Sequence, residues 1–161
     1  MDIPMIKKVS YLRLIPQIMF LLLINYLLDV FKIASDFIPV IFYSIIILVL
    51  YQYLIRYTLT IEHAKGIILL KKGKFAEAIE HFSNSFDFFD KHRYLDKWRS
   101  ILFLNPTQYD YRELALTNMA FCYTQIGNGD KAKELYEKCL REYPKNGIAF
   151  SALNIMNSVT K

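Results

Sequence analysis

Hydrophobic and polar positions change their pattern near residue 57. Ahead of it lie two long apolar runs. Residues 14–28 form a run of 15 without a charge, about 22 Å of helix at about 1.5 Å per residue. A bilayer core of about 30 Å asks for more. Extension toward Val9 with Arg13 snorkelling, and toward Val30 with Asp29 at the headgroups, brings the helix to about twenty residues. Residues 37–55 form a second run of 19 with the aliphatic centre SIIILVL. The pattern predicts a transmembrane helical hairpin over 1–57, its helices antiparallel neighbours because the connection at 29–36 is short. A hairpin lying in one leaflet and a buried helix pair in a water-soluble fold are the competing readings. A cleaved leader does not fit, because DVFKIASDF after Leu28 lacks the small-residue cleavage pattern.

The flanks suggest an orientation. Lys7, Lys8 and Arg13 precede the first run, Arg56, Lys65, Lys71, Lys72 and Lys74 follow the second, and the tip carries Lys32 between Asp29 and Asp36. Basic residues stay on the cytoplasmic side, so both termini are expected there. Tyr11, Phe31, Phe37, Tyr53 and Tyr57 stand near the run ends, where aromatic rings favour the interface. Asn25, deep in the first run, and Gln52, near the end of the second, are amides expected to pair with each other or with backbone. Neither Pro nor Gly occurs between Pro39 and Gly66. The second run can therefore continue as the next helix, although β-branched residues at 57–60 favour a hinge.

After residue 57 the apolar period becomes that of amphipathic helices separated by Gly, Asn and Pro. Two stretches align: AKGIILLKKGKFAEAIEHFSNSF from Ala64 and NMAFCYTQIGNGDKAKELYEKCL from Asn118. Each has a small residue (Gly66, Ala120), a turn glycine seven places on (Gly73, Gly127) and an alanine in the second helix (Ala78, Ala132). An aromatic follows four residues later (Phe82, Tyr136) and another small residue three beyond it (Ser85, Cys139). Small residues let two antiparallel helices approach while the aromatic fills the gap beside them. This spacing resembles the tetratricopeptide repeat, a 34-residue helix-turn-helix unit. The second copy also has Tyr123, Leu140 and Pro144 at matching places. The first has Leu69 for the aromatic, Lys65 at a position usually Leu, and no closing proline.

The copies are offset by 54 residues, so about twenty are inserted beyond the 34 of the repeat. The expected organisation is all-α: a repeat at 59–92, an inserted helix at 93–112, a repeat at 113–146 and a capping helix at 147–160. Leu95, Trp98, Ile101 and Leu102 give the insert helical periodicity, Asn105-Pro106 stops it, and Asp110 with Glu113 reads as a capping pair. In the last helix Ile148, Ala152, Ile155, Met156 and Val159 form the face expected to cover the final repeat. The whole looks like small membrane-anchored tetratricopeptide-repeat proteins of bacteria. That resemblance implies a multi-pass protein of a bacterial-type inner membrane, with its helical domain on the cytoplasmic face.

Charge narrows the partners. Lys+Arg 20 against Asp+Glu 15 leaves +5, divided as +2 before and +3 after residue 57 with acidic residues interspersed. No basic stripe for phosphate neutralisation results, which argues against nucleic acid. Cys122 and Cys139 lack a CxxC or histidine neighbour and read as small core residues. His63, His81 and His92 have no metal-ligand spacing. No phosphate loop or GxSxG elbow occurs, so neither a cofactor nor enzymatic turnover is expected.

The remaining reading is a protein-interaction adaptor. Carried over position by position, the resemblance implies a groove lined by Thr60, His63, Ile67, Leu70 and Lys71 from the first copy. The second would supply Leu114, Thr117, Asn118, Phe121, Thr124 and Gln125. His63 and Ile67 stand where a carboxylate clamp would need Lys and Asn, which speaks against a chaperone-tail clamp. Trp98, Tyr109 and Tyr111 are candidate interface anchors. Rival readings are a structural subunit of a larger membrane complex and a lipid-sensing module in which Lys71, Lys72 and Lys74 touch anionic headgroups.

Overall fold

Every element follows from helical periodicity and its punctuation. A computed structural model of the chain describes residues 11–32, 37–104 and 109–159, apart from the side chains of Arg13, Phe37, Ile38, Arg56 and Val159. Lys7 and Lys8, the hairpin tip at 33–36 and the Asn105-Pro106 stop lie outside these residues. After a 3-10 turn at Tyr11–Leu14 come α1 (Ile15–Val30), α2 (Phe37–Thr58), α3 (Ile61–Lys71), α4 (Phe75–Lys91), α5 (Arg93–Lys97) and α6 (Arg99–Leu102). Then follow α7 (Tyr111–Gln125), α8 (Gly129–Glu142) and α9 (Gly147–Val159). Two compact units result: one from residues 5–59 and 97–108, the other from 60–96 and 109 onward.

In the first unit α1 and α2 are antiparallel. Phe20 near the start of α1 stacks obliquely on Tyr51 near the end of α2, ring centroids 5.2 Å apart. Ile24, Leu28 and Ser44 are buried. Asn25 donates to the carbonyl of Leu21 in its own helix at 2.8 Å, so its amide is satisfied locally. Gln17 donates to the carbonyl of Leu104 and Tyr51 to that of Leu102, which fastens the end of α6 to α2 and the residues after it to α1.

The expected transmembrane hairpin, the multi-pass membrane localisation and the lipid contact through two spans are not upheld. Among the described residues, no helix is long and apolar enough to cross a membrane. The 16 residues of α1 rise about 24 Å, against the about 30 Å required. Its expected lengthening toward Val9 does not occur within the described residues, where Tyr11–Leu14 wind as a tighter turn. A continuous helix from α2 into α3 is corrected as well: helix stops at Thr58 and restarts at Ile61, with Thr60 as the N-cap.

In the second unit two helical hairpins, α3–α4 and α7–α8, turn at Gly73 and Gly127, whose φ angles are +75° and +79°. Only glycine adopts this left-handed conformation without strain. At residue 66 a Cβ would lie 2.7 Å from the Phe82 ring, so the absence of a side chain there is what lets α3 close on α4. Gly66, Ala78, Phe82 and Ser85, and their counterparts Ala120, Ala132, Tyr136 and Cys139, are all buried, the arrangement that the paired spacing predicts. Leu70, Phe86, Leu116 and Met119 complete the core between the hairpins.

The insert differs from expectation. Its single helix is two short ones, α5 and α6, interrupted at Trp98; Arg99, Phe103 and Leu104 are buried, and Leu104 turns with φ 48° after α6 has ended. The last helix also sits on another face. Ala149 and Leu153 are its buried residues, Ala152 and Met156 pack beside them, and Ile155 is 65% exposed. The small Ala149 permits a close approach to the core that a stripe led by Ile148 and Ile155 would prevent.

Candidate protein-binding surface

The surface is organised by α7, and α7 is held at its first turn. Asp96, buried in α5, accepts the main-chain N–H of Tyr111 at 2.8 Å and of Arg112 at 3.0 Å. A carboxylate at a helix N-terminus satisfies orphan donors and complements the helix dipole. Asp110 and Glu113 add the reciprocal cap expected from their spacing. Beside this turn Arg112 pairs with Asp90 of α4 at 2.7 Å and Glu142 of α8 at 2.5 Å. Its guanidinium lies 5.3 Å from the centre of the Phe86 ring.

A buried polar cluster continues inward. Asn146 donates to the Glu113 carboxylate at 2.9 Å and to Thr117 at 3.3 Å. Its carbonyl oxygen accepts the N–H of Ala149 at 2.8 Å. Thr117 donates to the carbonyl of Glu113 at 2.8 Å. One amide therefore joins the first turns of α7 and α9, which run in the same direction.

The groove positions separate by helix. On α3, Thr60, His63 and Leu70 are buried, Ile67 is half-buried and Lys71 is exposed. His63 meets Phe82 and Tyr111 edge-on at 5.4 and 5.3 Å, and its Nδ1 is 3.3 Å from the Ser85 hydroxyl. Burial pushes its imidazole down to about 4, so the ring is a neutral packing element. On α7, Thr117 is buried, Leu114, Asn118, Phe121 and Gln125 are half-buried, and Thr124 is exposed. Phe121 rests edge-on against Phe75 at 6.3 Å. Accessible lining is thus concentrated on α7.

Among the anchor candidates, Trp98 is 53% exposed and Tyr109 is half-buried. Tyr111 stacks on Phe89 at 4.7 Å, an inward placement that sequence periodicity does not reveal. Burial raises the thiols of Cys122 and Cys139 to about 12 and about 11, which removes nucleophilic character. Among the described residues no group of three His, Cys, Asp or Glu side chains could hold a metal ion.

The comparisons agree with the reading of the second copy. The family model of the tetratricopeptide repeat matches residues 114–146, from α7 to the residue that caps α9. No curated protein and no solved structure matches the chain.

Proposed function

We propose that this chain is a protein-interaction adaptor whose helical unit recruits a protein partner on the outer face of α7. One observation carries the reading: Leu114, Asn118, Phe121 and Gln125 recur at helical spacing and stay accessible on a helix capped at its start by Asp96 and Asp110. Rigid presentation of apolar and amide groups suits recognition, because little side-chain or backbone freedom is lost on binding. The tetratricopeptide repeat matched at 114–146 is a protein-interaction unit, which points the same way. The test is crosslinking in intact cells followed by mass spectrometry, comparing the natural chain with Phe121→Asp. Loss of specific captured proteins supports the adaptor; an unchanged set of captured proteins, with the helical circular dichroism also unchanged, rejects the α7 assignment.

A second reading, a structural subunit of a larger assembly, is favoured by the α1–α2 unit. Leu22, Tyr26, Phe42, Leu50 and Tyr53 are each at least 60% exposed. Monomeric proteins rarely leave so much contiguous apolar surface uncovered. Purification in fixed stoichiometry with other subunits, independent of substitutions on α7, would favour this reading over the adaptor.

A further inference from the structure

α9 repeats α7 at an offset of 34 residues. Ala115 and Ala149 are both 0% exposed, and Met119 and Leu153, the next inward positions, are 6% and 9% exposed. With the inner faces in register, the accessible positions pair as well: Leu114 with Ile148, Asn118 with Ala152, and Phe121 with Ile155. The Asn146 bonds to Glu113 and Thr117 hold the two first turns side by side. α9 is therefore the first helix of a further repeat, and it adds a second row to the accessible face of α7. The register breaks on the side that would receive a second helix. Leu116 and Ala120, both 0% exposed, are replaced there by Phe150, 59% exposed, and by the exposed Asn154. Asn154 stands at the place where a small residue admits a neighbouring aromatic, so this side of α9 differs from the corresponding side of α7.

We propose that α7 and α9 together cradle one amphipathic helix of a partner protein, gripping an uncharged apolar face of that helix; this rests on the adaptor reading and specifies its partner. Three observations select this occupant. From residue 114 to 125 α7 has no charged residue, and α9 has none at all, so a charged segment would shed hydration without finding a counter-charge. Leu114 and Phe121, and likewise Ile148 and Ile155, stand seven residues apart, about 10.5 Å along each helix. That spacing matches the anchors of a bound helix at i and i+7. Finally, the backbone groups of α7 and α9 are spent within their own helices, and the two accessible amides of this face, Asn118 and Gln125, are too few to pair the backbone of an extended segment. An extended peptide would leave its own N–H and C=O groups unpaired, whereas a helix satisfies them internally.

The test measures anisotropy of two labelled synthetic helical peptides against the full chain. One has a Leu/Ala stripe at i, i+3, i+4 and i+7, with Glu and Lys elsewhere; the other is the same peptide with Lys in the stripe. The first is expected to bind and the second to bind at least about tenfold more weakly. Ile155→Asp, at an exposed position that does not support the core, should weaken the first peptide about tenfold or more, while Phe150→Asp on the outer side should not. Equal binding of both peptides, or undiminished binding to Ile155→Asp, would overturn the cradle. If Leu114→Asp abolishes binding while Ile155→Asp leaves it intact, the adaptor reading stands and the contribution of α9 fails. If the first peptide does not bind and Phe121→Asp leaves cellular partners unchanged, both fail. Self-association of the natural chain that Ile155→Asp abolishes would assign the face to a second copy and overturn the partner-helix assignment.

Discussion

The carboxylate of Asp96 accepts the main-chain N–H of Tyr111 at 2.8 Å, fifteen residues further along the chain. The inserted segment thus leaves the helical unit and re-enters it at one point, and the returning chain starts α7 on the residue that ended the departure. This explains how about twenty extra residues beyond a 34-residue repeat leave α7 packed on α4 with a shared core. Replacing Asp96 with Ala removes the carboxylate that accepts two main-chain N–H groups at a helix start. Destabilisation of about 1–2 kcal/mol is expected, read from urea unfolding followed by circular dichroism. A midpoint unchanged within error would show that Asp110 caps α7 alone.

The contact of residue 66 with Phe82 makes an opposite demand on size. Gly66→Ala places a methyl group 2.7 Å from the ring and should cost about 1–3 kcal/mol through overpacking, despite the better helix propensity of alanine. Reducing the ring in Gly66→Ala with Phe82→Leu should recover part of the loss relative to the sum of the single changes. Strict additivity of the two substitutions would count against direct contact as the cause.

His63 supplies a pH dependence of defined sign. Its ordinary value of about 6.5 falls to about 4 in the fold because burial disfavours the cation. As pH drops below the ordinary value, the unfolded chain binds the proton first. Stability is therefore full above about pH 6.5 and declines as pH falls toward about 4. The total loss from this group is at most about 3 kcal/mol. Ser85, Phe82 and Tyr111 are the groups placed against the ring by α4 and α7, and none carries a negative charge at these pH values. His63→Gln should flatten the slope between pH 6.5 and 4 in denaturation midpoints; an identical slope in the variant would assign the dependence to other groups.

Cys122 and Cys139 are both 0% exposed, with thiols raised by burial. An aromatic disulfide reagent should label neither in the folded chain, and both at once upon denaturation. Rapid labelling of one under native conditions would show that the α7–α8 pair opens independently of global unfolding.

Asn146 ties α9 to α7 through bonds to Glu113 and Thr117. Asn146→Ala leaves the buried Glu113 carboxylate short of a donor and α9 without its cap, with an expected cost of about 2–3 kcal/mol. Hydrogen exchange should rise along α9 before it rises along α7. Uniform exchange across both helices would mean that the two form one cooperative unit without this amide.

Much of the helical unit was legible in the sequence because its signals are local. The glycines at the two turns, the small-and-aromatic spacing and the Asp110–Glu113 cap act within one hairpin or one helical turn, and the structure shows them in these roles. The accessibility of the expected groove positions was legible in part. The resemblance placed Leu114, Asn118 and Phe121 on α7, where they remain accessible, but it gave equal weight to Thr60, His63 and Leu70, which are buried. Position within a repeat does not say whether the neighbouring helix will cover it.

The all-helical class, the two turns and the pairing of helices within each repeat could be read from the order of residues, because periodicity and turn chemistry act over a few residues and need no distant partner. The tertiary structure decided which apolar face of α9 turns inward, how the insert returns to Asp96, and which groove positions stay open. It also corrected the membrane hairpin, since among the described residues no helix is both long and apolar enough to cross a membrane. Helices apolar on more than one side, such as α9, allow several packings of similar burial. Only close approach, here at Ala149 against the core and at Asn146 between Glu113 and Thr117, selects one.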